Sequence, residues 1–275
     1  MKVSIIIPIF NKIEVVEECI RLNIKHSENK NEWIIIDNNS NDATKQGIQR
    51  LKVFAENHRH TFIIIEEKEN TGVAKAWNKG MLYANQPYVC ILNNDCVMMP
   101  GWDSLLVKDS SILDIFSPLI LEDNMFNKKN YSLKEFMSGK RDWNFFVKTN
   151  KNKCREGIFG GVVFFGKSSA FKVAGQFDER FWVSLEDIDF LLRAKKNGLK
   201  IGITGNVAAY HFVGMTRKIV HSDGGIANQK YFEEKWGWRF EKAEKSFPNK
   251  QIKSYQKFMM KYFYKLASIN LVLPK

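Results

Sequence analysis

The feature that most constrains the fold is a regular alternation of apolar runs and amphipathic stretches in the first third of the chain. Apolar, β-branched runs cover residues 3–9, 33–36, 61–65 and 88–92, and stretches with helical spacing of apolar positions cover residues 12–26, 42–57 and 71–84. Strands of a parallel sheet are buried on both faces and therefore show continuous apolar runs. The alternation predicts an α/β fold with a Rossmann-like, mostly parallel sheet and helices on both faces.

Polar side chains follow three of these strands at the point where each strand ends. Asn11 follows the first strand, Asp37 follows the second, and an Asn-Asn-Asp triplet at residues 93–95 follows the fourth. Open parallel sheets bind ligands beyond the carboxyl ends of their strands. Amide and carboxylate oxygens there suit a divalent cation or a polyhydroxylated ligand. Such a triplet also caps helices and forms turns, so its function depends on the rest of the chain.

A group of acidic residues marks the start of a later helix, which we predict to begin near residue 184. Glu186 and Asp187 fall in its first turn, where the helix dipole favours negative charge. Asp189 is expected to pair with Arg193 one turn later. The two adjacent acids raise each other's proton affinity, which is what a general base in a cleft requires.

Two further strand features are candidates for the same site. An aromatic run at residues 157–165 predicts a strand whose paired glycines, Gly160 and Gly161, let a ligand or another backbone approach closely. His211 directly follows an apolar strand at residues 207–210. A lone histidine is often structural, but imidazole at the edge of a sheet is also a common metal ligand, and the neighbouring polar strand ends favour the ligand.

Length and composition fit one large domain or two small ones, and because the sequence shows no internal repeat and no clear linker, we favour one domain with an appendage. The chain has 275 residues, of which 44% are hydrophobic, enough for a sizeable core. We place an α/β domain at residues 1–215, with an insertion or mobile segment at residues 122–156. A basic, helical C-terminal extension is predicted at residues 216–275.

Neither a signal peptide nor a membrane span is predicted. The apolar run that begins at Val3 is too short for the hydrophobic region of a signal peptide, and no later run approaches the roughly 20 residues needed to cross a bilayer. The cysteines lack the paired spacing of a metal site, and we expect reduced, packed thiols at Cys19, Cys90, Cys96 and Cys154. We therefore expect a cytoplasmic protein, with peripheral attachment to a membrane as an alternative.

The C-terminal part of the chain is strongly basic. Residues 217–275 contain thirteen Lys or Arg and five Asp or Glu, within a chain of formal net charge +12. Residues 251–269 predict an amphipathic helix, with apolar Ile252, Tyr255, Met259, Tyr262, Leu266 and Ile269 and a stripe of Lys253, Lys257, Lys261 and Lys265. Three partners fit this helix: an anionic membrane surface, its own domain, or a nucleic acid.

Eight motifs in the correct order carry a resemblance to a known family. They lie at residues 3–11, 36–42, 70–80, 92–95, 159–161, 175–181, 186–193 and 210–211. Each is weak alone. Together they resemble family-two glycosyltransferases of the GT-A fold, specifically the rhamnosyltransferase-like branch, over residues 3 to about 214.

The resemblance implies an inverting hexosyl- or deoxyhexosyltransferase that moves a sugar from a nucleotide-diphosphate sugar to a hydroxyl of a glycan, a lipid-linked molecule or another acceptor. It implies that Asp187 is the catalytic base and that Asp95 and His211 bind a divalent cation, Mn²⁺ or Mg²⁺. The implied donor-binding residues are Pro8, Phe10, Asn11, Asp37, Asn70, Gly72, Lys75, Asn78, Asn93 and Asn94. The implied acceptor-binding residues are Gly161, Trp182 and Glu186.

One residue departs from the family pattern. Asn93 occupies the first acidic position of the family's Asp-x-Asp motif, which removes one negative charge near the cation. We therefore expect weaker metal binding and a less strict metal dependence. The same departure suits an alternative function, a non-catalytic nucleotide-sugar-binding protein, against which the intact pair of Glu186 and Asp187 argues.

Overall fold

The predicted alternation of strands and helices is present in the first third of the chain. The structure, a computed structural model, describes residues 1–122, 152–182, 184–212 and 223–237. Its first seven elements are β1 (Val3–Ile9), α1 (Ile13–His26), β2 (Glu32–Asp37), α2 (Asp42–Asn57), β3 (Thr61–Glu66), α3 (Val73–Tyr83) and β4 (Tyr88–Leu92). Each predicted element is confirmed, with ends that differ by at most two residues.

The later strands extend the same sheet but mix their directions. They are β5 (Cys96–Met98), β6 (Ile115–Glu122), β7 (Cys154–Glu156), β8 (Val163–Lys167) and β9 (Ile201–His211). The strand order is β3-β2-β1-β4-β8-β6-β9-β5, with β7 also paired to β9. Strands β1 to β4 are parallel, as are β6 and β9, whereas β5, β7 and β8 run antiparallel to their neighbours. The carboxyl ends of β1 to β4 therefore meet at one edge.

Helices cover both faces of the sheet, and the apolar side chains of β1 are buried on both sides. The remaining helices are α4 (Trp102–Asp109), α5 (Ser168–Ala174), α6 (Glu186–Lys196) and α7 (Asp223–Trp236). Ile5 and Ile7 pack with α1, α2 and α4, whereas Ile6 packs with α3 and the later helices. A Cβ on Gly80 of α3 would overlap the side chain of Ile6, so a glycine allows this helix to lie close to β1.

A buried polar network fixes the amino ends of β1, β2 and β3, at the edge opposite the polar strand ends. Asn31 accepts the N–H of Val3 at 3.1 Å and donates its side-chain N–H to Asp103 at 2.8 Å. The Nδ1 atom of His60 accepts the backbone N–H of Asn31 and the indole N–H of Trp33. Burial, assisted by the charge of Lys30, lowers the pKa of His60 to about 4, so the ring is a neutral acceptor at pH 7.

The prediction of an aromatic strand at residues 157–165 was wrong in its bounds. Residues 157–162 do not belong to the predicted aromatic strand, because Gly157 has a φ of 146° and Val162 folds back to bond the carbonyl of Gly160 at 2.9 Å; the strand there is β8. The two ends of the predicted insertion are strand residues, since Glu122 ends β6 and residues 154–156 form β7 on β9. Residues 123–151 lie outside the described part.

The cysteines are free thiols, as predicted. Cys19, Cys90 and Cys96 are buried and Cys154 is half-buried. Burial raises the pKa of Cys19 and Cys90 well above the usual range, so these thiols are packing groups.

Helix α7 packs against the domain that precedes it. Tyr231 and Lys235 bond the carboxylate of Asp178 at 2.8 and 2.7 Å, and Phe232 is fully buried near Phe181. None of the helices within the described residues is long and apolar enough to cross a membrane. The predicted basic helix at residues 251–269 lies outside the described part.

Candidate functional site

The loops that follow β1 and β2 are joined by hydrogen bonds. The backbone N–H of Asn11 donates to Ser40 Oγ at 3.0 Å, and Asn11 Oδ1 accepts the N–H of Asn41 at 2.9 Å. Asp37, which is 1% exposed, accepts the N–H of Ser40 at 2.9 Å. The side chain of Asn11 can form this bridge because its backbone is left-handed, with a φ of 59°, a conformation that asparagine tolerates. Asn11 and Asp37 therefore share one rigid loop pair.

Asn38 joins the loop after β2 to the loop after β3. Its side-chain N–H donates to Asn70 Oδ1 at 2.9 Å and to the carbonyl of Gly72 at 3.3 Å. Its Oδ1 accepts the backbone N–H of Thr71 at 2.9 Å. Asn38 was not predicted as a site residue, although it lies within the motif at residues 36–42. Its partners are more than thirty residues away in sequence, so only the fold reveals the contact.

The Asn-Asn-Asp triplet joins the end of β4 to two other segments. The side-chain N–H of Asn94 donates to the carbonyl of Pro8 at 2.9 Å, which links β4 to β1. The backbone N–H of Asn93 donates to the carbonyl of Val162 at 3.0 Å. The triplet is thus held between the first strand and the glycine-containing loop before β8.

Asp95 and His211 lie next to each other as the resemblance implied. Asp95 Oδ1 is 3.2 Å from His211 Nε2, and Asp95 is 4% exposed. Strand pairing explains the contact, because β5 runs antiparallel to β9 with Cys96 opposite His211. The backbone N–H of Phe212 also bonds the carbonyl of Asp95 at 2.9 Å, which closes this corner of the sheet.

The two candidate metal ligands at this corner fit a hard cation only if the substrate fills further coordination positions. Among the described residues no group of three His, Cys, Asp or Glu side chains could hold a metal ion. Mg²⁺ and Mn²⁺ commonly take one or two protein ligands and fill the remaining positions with water and phosphate oxygens. The carboxylate of Asp95 and the imidazole of His211 match that arrangement, with a diphosphate as the expected third partner.

Asp187 is held against the loop before β8. Its Oδ2 accepts the backbone N–H of Gly161 at 2.8 Å, and its Oδ1 accepts the N–H of Ile188 at 2.8 Å. A Cβ on Gly161 would lie 2.6 Å from the Cβ of Asp187, so only glycine allows this approach. Glu186, the first residue of α6, is 8% exposed beside it. Since Val162 bonds Asn93, Asp187 is connected to the end of β4 through two adjacent loop residues.

Trp182 joins the Asp187 segment to the loop after β3. Its carbonyl accepts the N–H of Val73 at 3.3 Å, at the start of α3. Gly72 has a φ of 78°, and a Cβ there would lie 2.9 Å from Cδ1 of the Trp182 ring. Trp182 is 50% exposed, so its indole offers an open apolar surface beside the loop after β3.

Comparison with known proteins shows the family to which the chain belongs. The model of "Glycosyl transferase family 2" matches residues 4–172, well over half of the chain. The chain belongs to this family. The predicted resemblance to family-two glycosyltransferases is confirmed.

The solved structures that resemble this family 2 chain share its fold. GalNAc-T7 with UDP, GalNAc and Mn²⁺ has a TM-score of 0.67 at 15% identity, covering 100% of this chain and 58% of that one. Residues 1–349 of S. aureus TarS in complex with UDP have a TM-score of 0.59 at 14% identity, covering 92% of this chain and 77% of that one. The fold is the GT-A fold predicted from the sequence.

A curated relative matches a shorter stretch. Poly-β-1,6-N-acetyl-D-glucosamine synthase of Staphylococcus aureus is 30% identical over 96 residues, which cover 35% of this family 2 chain and 22% of that enzyme. The chain therefore spans about a fifth of the length of the curated relative that it matches.

Two predicted donor residues of this family 2 protein lie on α3 rather than in the loops. Lys75 is exposed. Asn78 is 3% exposed, and its side-chain N–H groups donate to the carbonyl of Phe177 and to Glu179, both at 2.9 Å. Its Oδ1 accepts the N–H of Phe177. This amide connects α3 to the segment before α6, and we leave Asn78 out of the proposed donor contacts.

Pro8 and Phe10, two further predicted donor residues, lie at the carboxyl end of β1 and are half-buried. The predicted ion pair between Asp189 and Arg193 is present, with Oδ2 and Nε 2.9 Å apart.

Proposed function

We propose that this protein is an inverting glycosyltransferase that uses a nucleotide-diphosphate sugar and Asp187 as catalytic base. One observation supports this most strongly: the carboxylate of Asp187 is fixed by the N–H of Gly161, and the next residue, Val162, bonds Asn93 at the end of β4. The carboxylate is therefore connected to the edge of the sheet at which open α/β folds bind nucleotides.

The donor occupies the loops after β1, β2 and β3. Asn11, Asp37 and Asn70 present amide and carboxylate groups there, and their hydrogen bonds to Ser40 and Asn38 fix the loops before the donor binds. Lys75 adds a positive charge near the start of α3. GalNAc-T7 and TarS were both solved with UDP, which makes uridine diphosphate the first nucleotide to test.

Asp187 removes the proton of the acceptor hydroxyl while that oxygen attacks the anomeric carbon. The attack comes from the face opposite the departing diphosphate, so the configuration at the anomeric carbon inverts. Two backbone N–H groups, those of Gly161 and Ile188, orient the carboxylate before the acceptor arrives. Such preorientation is a large part of what an enzyme contributes to catalysis.

Asp95 and His211 are the residues that would hold a divalent cation. When bound there, such a cation would supply positive charge to stabilise the leaving nucleoside diphosphate. Asn93 leaves this corner with one carboxylate fewer than the family pattern, so we expect half-saturation at a higher metal concentration than a site with both acids would need.

The acceptor lies between Trp182 and Glu186. The half-exposed indole gives an apolar face on which a sugar ring can stack, and Glu186 can accept a hydrogen bond from an acceptor hydroxyl. A glycan, a lipid-linked sugar or another hydroxyl compound would fit these two contacts. A hexose or deoxyhexose is the proposed transferred group.

A screen of nucleotide sugars tests the proposal. Thermal shift and release of nucleoside diphosphate are measured for UDP-, GDP- and dTDP-sugars with Mn²⁺, Mg²⁺ or chelator. We expect one donor to stabilise the wild-type protein and to be hydrolysed slowly. Asp187→Asn should bind that donor equally well, because asparagine keeps the shape, but should lose transfer by at least about a hundredfold because the proton acceptor is gone.

Asp114→Asn is the matched control. Asp114 is half-buried and accepts a backbone N–H, that of Lys200, at 2.8 Å, as Asp187 accepts that of Gly161. Its substitution should leave turnover unchanged. A protein that binds donors but never hydrolyses or transfers one would be a nucleotide-sugar-binding protein, the alternative that Asn93 suits. Failure of every donor to bind would contradict both functions.

We also propose that the basic extension at residues 216–275 binds an anionic partner. Its charge suits an anionic membrane that carries a lipid-linked acceptor, or a nucleic acid whose modified base is glycosylated. Binding of vesicles and of RNA at increasing salt, with and without residues 238–275, distinguishes these partners.

A further inference from the structure

The turn before Asp187 is contacted by a helix from much later in the chain. Asn228 of α7 donates its side-chain N–H to the carbonyl of Ser184 at 3.0 Å. Asn228 is 4% exposed, so the bond is sheltered from water. It connects α7 to the backbone three residues before Asp187.

The backbone at this turn has a disfavoured conformation. Ser184 has a φ of 73° and Leu185 a φ of 71°, and residues with a Cβ rarely adopt such values. Two consecutive residues in this region persist only where the surroundings hold them. Leu185 is 3% exposed in the core under α7, and Asn228 bonds the carbonyl that precedes it.

Helix α7 also contacts the chain just after Asp187. The indole N–H of Trp236 donates to Asp189 Oδ1 at 2.9 Å, and Lys235 Nζ lies 2.6 Å from the same oxygen. Asp189 is fully buried. The helix therefore contacts the chain on both sides of Asp187, at the backbone of Ser184 and at the side chain of Asp189.

We propose that Asn228 is a positioning residue, which holds Ser184 and Leu185 in the left-handed conformation and thereby directs the Asp187 carboxylate toward the acceptor hydroxyl. The inference rests on the proposed function of Asp187. Asn228 itself touches neither donor nor acceptor in this scheme. Its side-chain N–H is the group that matters, because only a donor can bond the Ser184 carbonyl.

Steady-state kinetics of Asn228→Ala and Asn228→Asp test this role. Alanine suits the interior of a helix, so α7 is not weakened by propensity. Aspartate keeps the shape of asparagine but places a carboxylate against a carbonyl. We expect both variants to lower kcat on the order of tenfold to a hundredfold, as small misplacements of a catalytic group do. The KM for the donor should change less than about twofold, because Asn228 bonds the carbonyl of Ser184 and not the proposed donor loops.

A second substitution tests the conformational argument directly. Glycine adopts positive φ without steric cost, so Ser184→Gly should restore part of kcat in the Asn228→Ala background. Asn197→Ala is the matched control: Asn197 also donates a side-chain N–H to a backbone carbonyl, that of Val173 at 2.8 Å, at the far end of α6. Its kcat should equal that of the wild type.

Hydrogen exchange of the Gly161 amide gives a readout that does not depend on activity. That N–H donates to Asp187, so displacement of the carboxylate should accelerate its exchange in Asn228→Ala and leave it unchanged in Asn197→Ala. Unchanged exchange and unchanged kcat would overturn the role of Asn228. If no nucleotide sugar is ever turned over, the proposed function fails, while the exchange rates still decide whether Asn228 positions Asp187.

Discussion

At the scale of single residues, Gly161 is needed because the side chain of Asp187 leaves no room for a Cβ, and not because its backbone has a positive φ. The loop before β8 approaches α6 so closely that a Cβ at this position would lie 2.6 Å from the Cβ of Asp187 and 2.9 Å from its Oδ2. At the preceding Gly160 a Cβ would meet no atom within 4 Å. There is therefore room for an alanine side chain at residue 160 but not at residue 161.

We predict that Gly161→Ala displaces the Asp187 carboxylate and lowers turnover of the nucleotide sugar on the order of tenfold to a hundredfold. Crowding in a packed position should also lower the free energy of unfolding by about 1–3 kcal/mol. Turnover and urea denaturation of Gly161→Ala and Gly160→Ala measure both effects. Gly160→Ala should retain wild-type activity; equal losses in the two variants would show that loop flexibility matters rather than the approach to Asp187.

The sequence predicts residues at the site only where they lie in short local patterns. Asp95 and His211 follow apolar strands, and strand ends can be located from periodicity. Asn38 and Asn228 cannot be found this way, because their importance comes from partners far away in sequence, at residues 70–72 and at Ser184. Their own surroundings look like an ordinary turn and an ordinary polar helix.

At the scale of elements, periodicity located the strands that are apolar on both faces but not the end of the aromatic run. Residues 157–162 share the aromatic and apolar composition of β8, yet they form a loop. A strand needs a neighbour that continues beside it, and β4 pairs with β8 only as far as Val163, opposite Leu92. The composition of a segment indicates whether its residues are buried. The length of a strand depends on the strand with which it pairs.

The polar network at the amino ends of the strands leads to a prediction about pH. Burial lowers the pKa of His60 to about 4, while an unfolded histidine titrates near 6.5. The unfolded chain therefore takes up a proton first. The contribution of His60 to the free energy of unfolding is constant above about pH 6.5 and falls as the pH decreases toward 4. The loss is at most about 1.4 kcal/mol per pH unit for this one proton.

Urea denaturation between pH 7.5 and 4.5 measures this dependence. His60→Asn should be less stable at pH 7.5, because the acceptor for Asn31 and Trp33 is disturbed, but should show a smaller decline with acid. His58→Gln is the comparison variant: its ring bonds the carbonyl of Phe54, not Asn31 or Trp33, and since the charge of His58 contributes to the lowered pKa of His60, its loss should reduce the decline only slightly. The burial-induced decrease in the pKa of His26 acts in the same direction and remains in both variants. An undiminished acid slope in His60→Asn would assign the effect to other groups.

At the scale of the whole molecule, the sequence suggested a boundary after residue 215, with everything beyond it an extension. The charge and composition of a sequence do not show which helix packs on which domain. The contacts of α7 argue that this helix folds with the α/β domain, because Phe232 is buried beside Phe181 and Lys235 lies against Asp178 and Asp189. Although burial opposes it, hydrogen bonds from Arg180, Lys235 and Tyr231 hold the pKa of Asp178 well below its usual range.

A comparison of two shortened chains tests whether the domain ends before or after α7. We predict that a chain of residues 1–237 melts close to the full-length protein, whereas a chain of residues 1–215 melts roughly 8–16 °C lower. Losing one buried phenylalanine and one charge-assisted hydrogen bond costs about 4 kcal/mol, and 1 kcal/mol shifts Tm by roughly 2–4 °C at this size.

The cause of such a loss can be located with point variants in the full-length chain. Phe232→Ala should reproduce much of the decrease in Tm, because it empties the buried position beside Phe181 while α7 stays attached. Lys230→Ala, an exposed position on the same helix, should leave Tm unchanged. If residues 1–215 melt at the same temperature as residues 1–237, α7 is an appendage and the boundary predicted from the sequence is correct. In that case Asn228 also could not hold the Asp187 turn, so the melting temperatures bear on the catalytic argument as well as on the domain boundary.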